Sequence, residues 1–194
     1  THNVSSAASD VYKRQFKIFS MHSTLIIYST TDGQTKLICK KLINDYFDHK
    51  EIQLCSLSES SKKNLSDYKK IIIGASIRYG KHNPQLLNFI NKNQDILNRL
   101  NTAFFSVNVV ARKPAKNTPL TNPYMIKFLK KILWKPTKVA VFAGKVDYPS
   151  YKLVDKYMIR FIMWLTNGPT DVSKSYEFTN WNEVSKFGKA IKEM

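Results

Sequence analysis

The chain is short of acid: 14 aspartates and glutamates face 31 lysines and arginines, leaving a formal net charge of +17 over 194 residues. Solubility alone does not require that imbalance, so an anionic partner is expected, whether nucleic acid, an acidic lipid surface or a small anionic substrate. Cysteine is scarce too. Cys39 and Cys55 show neither C-x-x-C spacing nor companion histidines, which indicates no redox pair and no metal site and reads as two reduced cytosolic thiols. His22, His49 and His82 are scattered and read as surface residues. No apolar run approaches the roughly 20 residues of a membrane-spanning helix, so the chain is not expected to cross a bilayer. Residues 1–20 lack an initiating methionine and the apolar core of a signal peptide, while Met21 stands directly before the first strand pattern. That stretch is expected to be a disordered extension or an artefact, ahead of one domain over 23–194.

Apolar side chains are plentiful, at 43% of residues with 12% aromatic, enough for one compact core. Strand patterns fall at Leu25–Tyr28, Ile52–Leu57, Ile71–Ala75, Ala103–Val110 and Val139–Ala143. The unbroken Ile71-Ile72-Ile73 run suggests burial on both faces of a parallel sheet. Between the strands, apolar residues recur at helical spacing. Asn83-Pro84 and Asn122-Pro123 offer a cap followed by a first-turn proline, the second helix continuing to Trp134, and Asn180 to Glu183 resembles a capping box. Alternation of this kind implies an α/β doubly wound parallel sheet of five strands in the order 2-1-3-4-5.

After the first strand comes Ser29-Thr30-Thr31-Asp32-Gly33-Gln34-Thr35, where hydroxyls and backbone N–H groups converge on a helix N-terminus, a setting that favours an anion. Gly33 permits the tight backbone, and Thr30, Gln34 and Thr35 are candidate donors. No lysine lies within the turn and the three glycines of a dinucleotide fingerprint are missing, so it is neither a Walker loop nor that fingerprint. In a sheet of order 2-1-3-4-5 the switch point lies between strands one and three, the crevice where FMN binds in such folds. Ser76-Ile77-Arg78-Tyr79-Gly80 and the stretch from Ser106, Val107 and Asn108 to Arg112 are expected there, with Gly144 after the fifth strand. Tyr79 suits stacking on a flavin, Gly80 close approach, and Asn108 a hydrogen bond to the ring edge.

Asp147 to Lys174 is surplus to this plan. Its helix, expected over 150–166, carries Lys152, Lys156 and Arg160 in one row beside Asp155, and is otherwise apolar from Tyr157 to Leu165. So wide an apolar face needs a partner: lipid, substrate or a second subunit of a homo-oligomer.

In these segments the chain resembles the flavodoxin-like, menaquinone-dependent protoporphyrinogen oxidases of bacterial haem synthesis. The resemblance runs from about Thr24 to the C-terminus and rests on Ser29–Thr35, Ile73–Gly80, Ser106–Pro114 and the Tyr148 to Met163 segment. It implies a flavodoxin-like fold with an inserted amphipathic helix and FMN as cofactor. It further implies protoporphyrinogen IX as electron donor, menaquinone or ubiquinone as acceptor, and peripheral attachment to the cytoplasmic face of the inner membrane. Asp32 stands where flavodoxin turns generally carry threonine, a departure this family shares, and its carboxylate is expected to point away from the phosphate and brace the turn. Arg78, Arg112 and Lys113, with Lys81 and Lys116 nearby, are expected to meet the substrate's two propionates. No general base is assigned. An NAD(P)H-dependent quinone reductase on the same fold is the competing reading, although no nucleotide motif is recognisable. A flavodoxin-type electron carrier fits the charge poorly, since such carriers are typically acidic, and no nucleic-acid motif is present.

Overall fold

A computed structural model describes residues 23–194; the expectation for residues 1–20 lies outside them. In chain order the elements begin with β1 (Thr24–Ser29), α1 (Gln34–Tyr46), β2 (Ile52–Ser56), α2 (Leu57–Ser60), β3 (Lys70–Arg78) and β4 (Lys81–His82). Then come α3 (Pro84–Lys92), α4 (Gln94–Arg99), β5 (Asn101–Val107), α5 (Pro123–Leu129) and β6 (Lys138–Phe142). The chain closes with β7 (Lys145–Asp147), α6 (Leu153–Leu165), β8 (Ser175–Glu177) and α7 (Trp181–Lys192). The parallel strands lie in the order β2-β1-β3-β5-β6, which is the expected 2-1-3-4-5 when they alone are counted. Register is set at the centre, where Ile27 of β1 pairs with Cys55 and Ile73, and Ile73 in turn with Phe104.

Side-chain alternation divides β1 and β3 between two cores. Leu25, Ile27, Ile71, Ile73 and Phe104 face one side, against Leu86 and Ile90 of α3. Ile26, Ile72 and Phe105 face the other, against Ile38 and Leu42 of α1 and Phe187 and Ile191 of α7. Both faces are therefore dry, which is why the strands read as continuous apolar runs. Cys55 sits in the first core and Cys39 in the second; burial pushes both thiols up, Cys55 to about 11.

Four expectations about element limits change. The third strand runs on to Arg78 because it turns back as a hairpin into β4, pairing Ile77 with His82 and Arg78 with Lys81. Tyr79 (φ 49°) and Gly80 (φ 75°) supply the two left-handed positions that such a two-residue turn demands. The fourth strand stops at Val107, where Asn108 caps a short 3₁₀ turn over Val109–Arg112. Helix α5 ends at Leu129 rather than Trp134, since the chain turns to bury the Trp134 ring, whose Nε1 donates to Thr102 Oγ1 at 3.0 Å. Helix α6 starts at Leu153, because Tyr148–Ser150 form a 3₁₀ turn that sends Tyr151 inward. With the antiparallel β7–β8 pair, the inserted segment builds a small third core of Val146, Tyr148, Tyr151 and Met163.

His82 is not a surface residue. The hairpin folds its ring onto Phe128 (4.6 Å between centroids) and Phe104 (5.7 Å), with Nε2 3.0 Å from Ser106 Oγ. Burial lowers its pKa from 6.5 to about 4. With the folded value depressed, stability is complete above pH 6.5 and is lost as pH falls towards 4. Between pH 7.5 and 5 that loss should be about 2 kcal/mol, read as a lower urea midpoint, and His82→Asn should flatten it. An equal acid loss in the variant would assign the effect to other groups.

Candidate active site

The carboxyl ends of β1 and β3 open onto a cavity of about 410 Å3 whose wall includes Ser29, Thr30, Thr31, Ser76, Arg78 and Tyr79. Lys81, His82, Asn83 and Pro84 complete it on the hairpin side. This is the switch point of the sheet, where strand order reverses. A larger cavity, about 700 Å3, lies along the outer strand β6 between Arg112 and Phe187, but it contains none of the turn's hydroxyls.

The turn after β1 is built to receive something. Gly33 holds φ at 85°, and nothing lies within 4 Å of where a Cβ would stand. Its N–H donates to Thr30 Oγ1 at 3.0 Å, which closes the turn and leads into α1, whose first N–H groups have no acceptor within the helix. Thr35 is fully buried, and its Oγ1 has no hydrogen-bond partner among the described residues. An unsatisfied buried hydroxyl is costly, so its presence at a helix N-terminus points to an absent acceptor. Thr31 Oγ1 lies 3.4 Å from Ser76 Oγ, joining the two loops across the crevice. Gln34 differs from expectation: its side-chain amide donates to Glu177 Oε1 and Thr179 Oγ1, both at 2.9 Å, leaving only its backbone for a ligand.

Arg78 is the electrostatic centre. Its Nη1 donates to Asp32 Oδ2 at 3.0 Å and Oδ1 at 3.2 Å, and its Nη2 pairs with Asp155 Oδ2 of α6 at 2.8 Å. The rings of Tyr79 and Tyr151 lie 5.2 and 5.3 Å from the guanidinium carbon. Tyr79 also donates its hydroxyl to Asp155, and Tyr151 Oη donates to Asp32 Oδ2 at 3.4 Å. Burial pushes the Asp32 carboxyl above its ordinary value, opposed by the Arg78 charge and the Tyr151 hydrogen bond. Asp32 thus sits in a turn made for an anion with its own charge turned onto an arginine.

The expected residues on β5 and beyond do not join this cavity wall. Ser106 is fully buried and its hydroxyl is shared by His82 and Asn108 Nδ2. Asn108 Oδ1 accepts from Ala111 N at 3.2 Å and from Asn122 Nδ2 at 3.1 Å, so its amide is spent on capping and cross-linking loops rather than facing a ring. Val107 is buried, and Gly144 lies beneath it, where a Cβ would meet Val107 Cγ1 at 3.3 Å. Arg112 Nη2 donates to Thr166 O and Oγ1, both at 2.8 Å, and Nη1 to Val109 O at 3.3 Å, making it a strut between this loop and the end of α6. Lys113 follows it, half-buried at the end of the 3₁₀ turn. Local sequence offered no sign of His82 or Tyr151 at the site; Asp155 was visible as the one acid on a basic, apolar helix.

The flavodoxin-domain family matches residues 25–173. The protoporphyrinogen IX dehydrogenase [quinone] of Escherichia coli (strain K12) is 40% identical over 172 residues, covering 87% of this chain and 93% of that protein. The chain belongs to this flavodoxin-domain family. A second relative of the same name, from Leishmania major, is 40% identical over 165 residues, 84% of this chain and 71% of its own length.

Flavodoxin domains hold FMN at the switch point of the sheet, and a Thr35 hydroxyl without a partner in the first turn of α1, two residues after the open Gly33, suits a phosphate acceptor. In this flavodoxin domain Thr35→Val therefore has two effects of opposite sense. Urea unfolding of the flavin-free protein should show unchanged or slightly raised stability, because a hydroxyl without a partner is removed. Titration of the same protein with FMN, followed by flavin fluorescence, should show affinity reduced roughly tenfold. Equal FMN affinity in the two proteins would place the phosphate elsewhere.

Proposed function

We propose that this protein is an FMN-dependent dehydrogenase that oxidises protoporphyrinogen IX to protoporphyrin IX in haem biosynthesis and delivers the electrons to a quinone. The observation that carries the reading is 40% identity over 87% of the chain to a relative of that name, in a chain whose switch-point turn fits a flavin phosphate. When bound, FMN supplies the two-electron chemistry, accepting electron pairs from the macrocycle and returning them to the quinone.

The chain's own residues bind and orient. Backbone N–H groups of the turn, with the Thr30 and Thr35 hydroxyls, would hold the phosphate. Tyr79, 55% exposed at the cavity mouth, offers an aromatic face. The His82 ring, held neutral by burial, lines the wall without adding charge. Arg78 and Lys81, on the cavity wall, are the cations for the substrate's propionates; Lys113 lies off that wall, and Arg112 is committed to holding the insertion. The macrocycle is a broad apolar disc, and α6 is the apolar wall for it.

Anaerobic assay of FMN-loaded protein separates this reading from a pyridine-nucleotide quinone reductase. With menaquinone as acceptor, protoporphyrinogen should reduce the flavin and turn over, and NADH should not. Rapid turnover of NADH with no porphyrinogen oxidation would assign the function to the quinone reductase.

The same reading extends to peripheral attachment at the cytoplasmic face of the inner membrane, with menaquinone or ubiquinone drawn from it. Supporting it, Leu153, Tyr157, Phe161, Trp164 and Leu165 of α6 are each at least 57% exposed, and Lys127, Lys130 and Lys131 stand exposed at the end of α5. Among the described residues no helix is long and apolar enough to cross a membrane. Basic residues near an anionic leaflet contribute about 1 kcal/mol each, so replacing all three lysines by glutamate should weaken binding roughly a hundredfold or more. Flotation with anionic liposomes should show that loss, together with weaker binding of the native protein in salt; flotation indifferent to both removes the electrostatic contribution.

A further inference from the structure

The two carboxylates on Arg78 are held very differently. Asp32 belongs to the turn that begins α1, and Tyr151 also donates to it. Asp155 belongs to the first turn of α6, a 13-residue helix in which Met163 alone is buried. Met163 lies eight residues further on, roughly 12 Å along the axis. Around Asp155 the helix carries exposed Leu153 and Val154, and Ile159 one turn on is half-buried against the third core; the polar hold on the first turn comes from the two groups that Asp155 accepts from, Arg78 Nη2 and the Tyr79 hydroxyl.

The guanidinium does not depend on Asp155 for its placement. Nη1 makes two bonds to Asp32 and the rings of Tyr79 and Tyr151 lie close to the guanidinium, leaving Nη2 for a carboxylate on the α6 side. Such a group is a preorganised carboxylate receptor on the wall of the cavity. A propionate is chemically the same group as an aspartate side chain, so exchanging one for the other trades like bonds and costs little. We propose that Asp155 occupies the carboxylate position on Arg78 when substrate is absent, and that a propionate displaces it and releases the first turns of α6 from the rim. The inference rests on the reading of the substrate as a porphyrinogen. It makes Arg78 the specificity-determining cation and Asp155 its internal competitor.

FMN-loaded protein, titrated with protoporphyrin IX and separately with its dimethyl ester, tests this by porphyrin fluorescence and by hydrogen exchange across residues 153–160. In the native protein the diacid should speed exchange in that segment and the ester should not. Asp155→Asn should bind the diacid about three- to tenfold tighter, because the fraction of receptors already free rises, and bind the ester unchanged. Tyr79→Phe keeps the ring, removes the other donor to Asp155, and should shift diacid affinity the same way by less. Diacid binding that is unchanged or weaker in Asp155→Asn, or exchange in 153–160 that ignores the diacid, overturns the proposal and leaves Asp155 as an anchor. Equal binding of diacid and ester to the native protein removes the carboxylate receptor but not the substrate. Binding of neither overturns the substrate reading itself.

Discussion

A guanidinium drawn into a cavity wall needs anions about it, and Arg78 takes them from segments far apart in sequence. Asp32 comes from the first turn and Asp155 from the late insertion, with the rings of Tyr79 and Tyr151 close to the guanidinium. Each end gains from the arrangement. An acid in a turn at a helix N-terminus would oppose any anion bound there, and pairing with Arg78 draws that charge aside. Helix α6 of the insertion, most of whose apolar side chains are exposed, gains a charged tether. The anion turn and the apolar helix therefore share one cation, and neither has its present electrostatics without it.

The excess of positive charge works on another scale. Close to the cavity, Arg78 and Lys81 are balanced by Asp32 and Asp155, so the site itself carries little net charge. The surplus of lysine and arginine lies elsewhere in the chain and acts through the summed field on whatever anion approaches. Long-range attraction and close-range recognition are thus assigned to different residues.

Strand identity and sheet order were legible because burial on both faces writes itself as runs such as Ile71-Ile72-Ile73, and the anion turn because Gly33 and its hydroxyls stand together in the chain. What misled was polar chemistry whose partner lies elsewhere. Gln34 looked free, but its acceptors are 143 and 145 residues away. Asn108 had the right side chain for a ring edge, yet Ala111 and Asn122 claim its oxygen. Arg112 reads as a rim cation until Thr166 is brought beside it. His82 follows a lysine and looks solvated; only the hairpin turn at Tyr79-Gly80 puts it against Phe104 and Phe128. Local pattern reports which faces are apolar, and it does not report which distant donor will meet which acceptor.

The insertion leaves and rejoins the sheet at almost the same point. Phe178 N donates to Gly144 O at 3.0 Å, so the stem of this 145–177 excursion is closed by a backbone hydrogen bond. Its buried residues form their own core, sharing none with the two cores that sandwich the sheet. A segment whose ends touch, and which meets the domain mainly through Val109, Phe178 and a few polar ties, can change in length without disturbing strand register. The chain is in that sense a flavodoxin sheet carrying a looped-out module, and the module can diverge in what it recognises while strand order and register beneath it stay the same.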